Sequence, residues 1–335
     1  MTRVAVLGAG SWGTTFAAVI ADAGTDVVLW ARREEVAREI RTAHTNRAYL
    51  GDLELNPRIT ATADPAEALA GAEVVVVAVP AQSLRANLGA WMPLIADDAI
   101  LVSLMKGIEV DTGLRMSEVI AEVSGRGREH IAIVSGPNLA KEIAARQPTA
   151  TVVASACAGT AERIAALTAN SYFRPYTNTD VVGVELGGAI KNVIALAVGM
   201  CDGQGLGDNS KASVITRGLA ETSRLAVDMG AELHTLSGLA GLGDLVATCA
   251  SPLSRNRSFG RLLGEGLTLE EAAARTKQTA EGVKSASAVL ELGRSRGVDL
   301  PITQAVVAVL AGHLRVDELA GLLLARKRKT EGPAQ

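Results

Sequence analysis

Residues 3–30 read RVAVLGAGSWGTTFAAVIADAGTDVVLW, and the order of elements in this stretch decides the fold. An apolar run of strand length, residues 3–7, leads into Gly8-Ala9-Gly10-Ser11-Trp12-Gly13. A run suited to a helix follows at 14–23, Gly24 closes it, and residues 26–30 read as a second strand. Glycines spaced GxGxxG are common in turns and carry little weight alone. Here the triplet follows a strand, opens a helix and reaches another strand within about 30 residues, the setting a dinucleotide-binding turn requires. Gly8 makes the tight turn, Gly10 lets backbone meet pyrophosphate, and Gly13 lets the helix pack on the strand. The helix N-terminus offers N–H donors and a partial positive charge to the phosphates.

The end of the second strand bears on which dinucleotide is bound. An acidic residue there bonds a ribose 2′-hydroxyl, whereas arginine accommodates a 2′-phosphate. This chain has Arg32-Arg33, with Glu34-Glu35 just beyond, so the expected cofactor is NADP(H), with NAD(H) possible. Farther on, β-like and α-like segments alternate. Residues 73–80, EVVVVAVP, read as a strand buried on both faces, and 99–104, 131–135 and 150–154 are further strand candidates. Helical runs at 83–94, 113–123 and 160–169 separate them. The pattern predicts a Rossmann-like, doubly wound, mostly parallel sheet with ligands at the carboxyl ends of its strands. After residue 180 the strand pattern stops, and helix-like segments succeed one another: 184–199, 211–229, 255–263, 269–274, 282–292, 303–310 and 316–325. The expected organisation is an α/β dinucleotide-binding domain, 1–182, followed by an all-α domain, 183–330, with a site in the cleft between them.

Composition narrows the function classes. The 335-residue chain is long enough for about two domains, with 48% hydrophobic and 21% charged residues. A net charge of -3 gives no electrostatic case for nucleic acid or an anionic membrane. Three separated cysteines and four isolated histidines make neither a disulfide framework nor a metal cluster, and they suit a reducing, cytoplasmic setting. No signal peptide and no uninterrupted apolar run of membrane-spanning length is apparent. The basic run 326–329 reads as the cap and tail of a last helix.

Residues 185–200, ELGGAIKNVIALAVGM, place Lys191 in an otherwise apolar run of helical length. Positions 187, 188, 191, 194 and 195 share a helical face, so Gly187 and Gly188 lie beside the ammonium. Two glycines in a helix interior cost roughly 1 kcal/mol each, and clearance for cofactor or substrate is the expected return. A lysine that snorkels to water is the structural alternative. Lys106 and the GPNLAKE segment, 136–142, follow strand candidates at the ligand edge. Asp244 lies in a glycine-rich, apolar context. Ser254 reads as a helix cap with Arg255 and Asn256 in the first turn, where arginine opposes the helix dipole unless an anion such as phosphate is shared there.

Together the pieces GAGSWGT, LMKGIE, SGPNLAKEI, ELGGAIKNVIALAVG, GLGDN, ITRGLAE, GLAGLGDLVATC, SPLSRNRSFG, AEGV and LPIT, in this order from Val4 to about Leu324, resemble the bacterial NAD(P)-dependent sn-glycerol-3-phosphate dehydrogenases. The resemblance implies interconversion of dihydroxyacetone phosphate and sn-glycerol 3-phosphate for glycerophospholipid synthesis, by a cytoplasmic homodimer. By position it implies that Lys191 is the catalytic proton donor and acceptor. It places Lys106, Gly136, Asn138, Lys191, Asp244, Ser254, Arg255 and Asn256 at the substrate. It places Ser11, Trp12, Arg32, Arg33, Lys106, Ala140, Arg255, Thr279 and Glu281 at the cofactor, beside Gly8, Gly10 and Gly13. The family often has serine or threonine where this chain has Asn138, which can also donate and accept. Residue chemistry agrees: a carbonyl reduced by hydride needs charge stabilisation and a proton, and a lysine supplies both. Burial and Lys106 are expected to lower the pKa of Lys191, with Asn192 or Asp244 orienting it. Two other readings use the same architecture. A reductase of a β-hydroxy acid or cyclic imine would not need the Arg255-Asn256 helix start, and a non-catalytic NADP(H) sensor would not need Lys191, Lys106 and Asp244.

Overall fold

The computed structural model describes residues 2–276 and 280–319. Eight strands form one sheet: β1 (Val4–Leu7), β2 (Val27–Trp30), β3 (Ile59–Thr62), β4 (Val74–Val77), β5 (Ile100–Ser103), β6 (Ile131–Ser135), β7 (Thr149–Ala154) and β8 (Phe173–Asn178). Their order is β3-β2-β1-β4-β5-β6-β7-β8, and every neighbouring pair is parallel except β6–β7. Central β1 and β4 are buried along their whole length, which is why VAVL and VVVV lack polar alternation. Helices cover both faces, so the expected doubly wound sheet is present. Strand order reverses between β1 and β4, and the GxGxxG turn sits at the carboxyl end of that switch point. Gly8 N–H bonds the Trp30 carbonyl at 3.1 Å, and Ala78 N–H bonds that of Leu7 at 2.9 Å.

The structure adds two strands that patterning did not single out, β3 and β8, and they are the two edges of the sheet. Their sequences, ITAT and FRPYTN, lack a continuous apolar run, and β8 is largely exposed. Pro175 is tolerated in β8 because only β7 pairs with it. Helix ends shift by a few residues from expectation. The helix expected from 184 begins at Val181, because the Asp180 carboxylate accepts from Gly183 N–H at 2.8 Å and caps it. The expected segment 316–325 and the basic run 326–329 extend beyond the described residues.

Helix Val181–Gly203 is the axis of the second half. Leu186, Ile190, Val193, Ile194, Leu196 and Val198 are buried around it, and helices Asp208–Asp228, Asp244–Ala250, Arg255–Gly264 and Glu281–Ser295 pack against it. With a mean hydropathy of 1.7 over its most apolar window it is long and apolar enough to cross a membrane, but 89% of that window is buried inside the fold, which accounts for its apolarity as a core helix. It crosses helix Arg255–Gly264 at backbone distance. A Cβ at Gly199 would run into the Arg257 carbonyl, and one at Gly260 into that of Leu196. This close crossing brings the Ser254–Asn256 helix start beside Lys191. The axis helix is tied to the sheet half by Glu185, whose buried carboxylate accepts from Ser117 N–H at 2.7 Å and from the Arg115 guanidinium at 2.5 Å.

Candidate active site

The dinucleotide turn shows what each glycine is for. Gly8 has φ +123°, and a Cβ there would meet the Ala78 carbonyl at 2.5 Å; a Cβ at Gly13 would strike the Gly8 carbonyl. A Cβ at Gly10 meets nothing within 4 Å, so the turn is packed on its strand side and open on its outer side. The N–H groups of Gly10, Ser11 and Trp12 have no protein partner among the described residues, and they open helix Ser11–Asp22. An open concave turn with free donors at a helix N-terminus fits a pyrophosphate. Trp12 packs edge-on against Phe16 at 5.4 Å, and its buried Nε1 has no partner among the described residues. Thr15 Oγ1 donates to the Ala140 carbonyl at 3.2 Å, which brings the loop after β6 alongside this helix. In that loop both amide atoms of Asn138 are buried without a partner among the described residues, a polar group that awaits a ligand. Arg32 and Arg33 lie exposed just past β2, with Arg33 3.5 Å from Glu35. Thr279 lies outside the described residues.

Two lysines and one carboxylate occupy the junction of sheet edge and helical half. Lys106, in the loop after β5, donates to the Gly136 carbonyl at 2.9 Å and to Asp244 Oδ2 at 2.6 Å. Gly136 has φ +142° and packs against Thr151, so glycine suits that bend. Lys191, 7% exposed, donates to Asp244 Oδ1 and to Thr248 Oγ1, the latter at 2.7 Å. Asp244 is 1% exposed and spends one oxygen on each ammonium. Helix Asp244–Ala250 continues directly from the helical turn Leu239–Gly243, and Thr248 lies one turn on from Asp244 along the same face. Burial pushes the Lys191 ammonium down to about 8; Asp244 pulls it up and Lys106 pushes it further down. Asp244 is therefore the residue that orients Lys191. Asn192 has a different post: it donates to the Lys106 carbonyl at 3.4 Å and accepts from Asn256 Nδ2 at 2.9 Å.

The glycines beside Lys191 have another task than the expected one. A Cβ at Gly187 would meet the Ala240 carbonyl at 2.6 Å, and one at Gly188 would meet Ser135 Oγ at 2.6 Å, with the Lys106 side chain just behind. They admit the turn Leu239–Gly243 and the sheet edge, and so set Asp244 and Lys106 against Lys191. The clearance serves protein rather than ligand.

Helix Arg255–Gly264 closes the other end. Ser254 caps it, accepting from Arg257 N–H at 3.2 Å, as expected. Asn256 is turned inward, donating to Asn192 and accepting from Gly282 N–H at 2.9 Å, so its carbonyl is spent on the fold. Arg255 is exposed and makes no hydrogen bond or ion pair among the described residues. Burial raises the Glu281 carboxyl, against the pull of Arg255, Lys106 and Lys191. The expected residues Gly136, Lys106, Lys191, Asp244 and Asn256 are thus joined by hydrogen bonds, the last through Asn192, with the charges of Arg255 and Glu281 beside them. Arg32 and Arg33 make no contact with this cluster and lie just past β2. Sequence reading did not single out Thr248, although its place four residues after Asp244 on a helix was a usable signal.

Comparisons with known proteins bear on the family of the whole chain. The sequence profile for the NAD-dependent glycerol-3-phosphate dehydrogenase N-terminus matches residues 3–161, and the corresponding C-terminus profile matches residues 180–321. A glycerol-3-phosphate dehydrogenase [NAD(P)+] of Thermobifida fusca is 61% identical over 332 residues, 99% of each chain. The crystal structure of glycerol-3-phosphate dehydrogenase from Coxiella burnetii superposes with a TM-score of 0.93 at 36% identity, covering 97% of this chain and 99% of that one. A PanE/ApbA family ketopantoate reductase from Ralstonia eutropha, at 17% identity and a TM-score of 0.59 over 95% of this chain and 99% of that one, shares the fold alone. The chain belongs to the NAD(P)-dependent glycerol-3-phosphate dehydrogenase family.

Proposed function

We propose that Lys191 is the proton donor and acceptor in the chain's reaction, the NAD(P)H-dependent interconversion of dihydroxyacetone phosphate and sn-glycerol 3-phosphate. One observation carries this reading: a buried ammonium is held, with Lys106, on a single carboxylate where the sheet edge meets the helices. When bound, the nicotinamide supplies hydride to the carbonyl carbon. Lys191 stabilises the charge that develops on the oxygen and donates the proton; in the reverse direction its neutral amine takes the proton back. Asp244 and Thr248 fix the direction of the Nζ–H bonds. Lys106, Gly136, Asn138 and Ser254 border the substrate, with Asn256 holding the wall. Arg255 and the free first-turn N–H groups take the phosphate.

At the other end Gly8, Gly10, Ser11, Trp12, Gly13, Ala140, Thr279 and Glu281 hold the dinucleotide, and Arg32 and Arg33 take a 2′-phosphate, giving a preference for NADP(H) over NAD(H). The two domains divide near residue 182, the protein works in the cytoplasm as a homodimer, and its product feeds glycerophospholipid synthesis. The test is loss of nicotinamide absorbance with dihydroxyacetone phosphate, repeated with NADH and with unphosphorylated dihydroxyacetone. Turnover with the phosphorylated ketone is expected, at least ~100-fold better in kcat/KM than without the phosphate, from two or more charge-assisted hydrogen bonds. NADPH is expected to be the better cofactor; an NADH preference of tenfold or more contradicts the role given to Arg32 and Arg33.

A further inference from the structure

We infer that Asn46 is a positioning residue for the phosphate-binding turn, aiming the Gly10 N–H at the bound dinucleotide from behind. The inference rests on the cofactor reading above. Asn46 is fully buried beneath the turn, and its Nδ2 donates to the Ala9 carbonyl at 3.1 Å and to Thr14 Oγ1 at 2.9 Å. The Ala9 carbonyl and the Gly10 N–H belong to one trans peptide and point in opposite directions. A donor that fixes the carbonyl therefore fixes where the N–H points, which is away from Asn46. On the outer side the N–H has no protein partner among the described residues, and a Cβ on Gly10 would meet open space. Thr14, one turn into helix Ser11–Asp22, gives the same amide a second anchor, so turn and helix are held in one mutual orientation.

The placement of Asn46 is itself over-determined. Glu39 Oε1 accepts from Thr45 Oγ1 and from Arg47 N–H, both at 2.9 Å, and so clamps the residues on either side. The Asn46 carbonyl accepts from Tyr49 and Leu50 N–H at 3.1 and 2.8 Å. Its own Oδ1 is buried with no partner among the described residues. Turning the amide over would set Oδ1 against the Ala9 carbonyl, so the orientation follows from the acceptor it faces. An apolar residue of similar size would avoid the orphaned oxygen but would leave the Ala9 carbonyl without the donor that the amide provides.

The test is NADPH binding without substrate, by fluorescence titration of wild type, Asn46→Ala, Asn46→Asp and Thr14→Val, each checked for folding by circular dichroism and melting. The dissociation constant is expected to rise about 10- to 30-fold in Asn46→Ala, from the loss of one or two hydrogen bonds. A larger rise, roughly 100-fold, is expected in Asn46→Asp, which places an acceptor against a carbonyl and a negative charge behind a phosphate site. At saturating NADPH the KM for dihydroxyacetone phosphate is expected to stay within about twofold of wild type, a split that general loosening of the fold would not produce. Thr14→Val removes only the second anchor and is expected to weaken NADPH about threefold. It carries the test if both Asn46 variants fail to fold. Folded variants that bind NADPH as wild type does overturn the proposal, as does a parallel loss of affinity for both ligands. A wild-type protein that does not bind NADPH at all sinks the cofactor reading, and the proposal with it.

Discussion

Replacing Lys191 with alanine is expected to lower kcat for reduction of dihydroxyacetone phosphate by about 10⁴-fold or more, while NADPH binding stays within a few-fold of wild type. The size follows from two losses at once: a positioned general acid contributes about 10²–10⁴-fold, and a preorganised charge on a developing oxyanion about 10²–10³-fold. The two overlap because one ammonium does both, so their product is an upper bound. Asp244 keeps its bond to Lys106 at 2.6 Å, so the fold is expected to survive. Steady-state kinetics with a parallel NADPH titration check the expectation. Near-normal turnover would remove Lys191 from the chemistry and leave it as a buried partner of Asp244.

Replacing Arg255 with alanine is expected to act on binding rather than on the chemical step. Arg255 heads helix Arg255–Gly264, exposed and without a hydrogen bond or ion pair among the described residues, while its neighbour Asn256 is turned inward to Asn192 and Gly282. Arginine at that position works against the helix dipole, a cost that a bound phosphate reverses. Loss of one bidentate contact, worth about 3 kcal/mol, corresponds to a KM for dihydroxyacetone phosphate raised about 100-fold with kcat changed little. Unphosphorylated dihydroxyacetone is expected to be turned over equally by wild type and variant. An unchanged KM would refute the phosphate assignment.

The parts of the molecule legible in sequence are those where one physical demand acts on consecutive residues. Burial on both faces left β1 and β4 without polar residues, and the turn between β1 and its helix needs glycine at 8 and 13 because a Cβ has nowhere to go. The edges β3 and β8 were illegible for the converse reason: β3 mixes threonine with apolar residues, β8 is largely solvated, and Pro175 argues locally against a strand. In the site, Lys191, Lys106 and Asp244 stood out as charges in apolar or glycine-rich settings. Their mutual contact depends on packing between elements 138 and 53 residues apart, and no local pattern encodes that. The same limit explains Gly187 and Gly188. Sequence showed that something must come close to that face, and only the tertiary structure shows that it is the Ala240 backbone and the Ser135 and Lys106 side chains. Sequence offered Asn192 as an orienter of Lys191 and Asn256 as a substrate contact; the structure bonds the two amides to each other and Asn256 to the Gly282 N–H, contacts that no local pattern encodes.

The pH dependence of the two reaction directions tests the central role of Lys191 most directly. Burial lowers the ammonium to about 8, and reduction needs it protonated whereas oxidation needs it neutral. For the wild-type enzyme kcat/KM for dihydroxyacetone phosphate is therefore expected to hold below pH 8 and fall about tenfold per unit well above it, while kcat/KM for sn-glycerol 3-phosphate rises through the same value and then levels. Opposed limbs that share one midpoint near pH 8, both absent from the residual activity of Lys191→Ala, are the predicted result. Profiles that run parallel in the two directions, or a midpoint that persists without Lys191, would contradict the account.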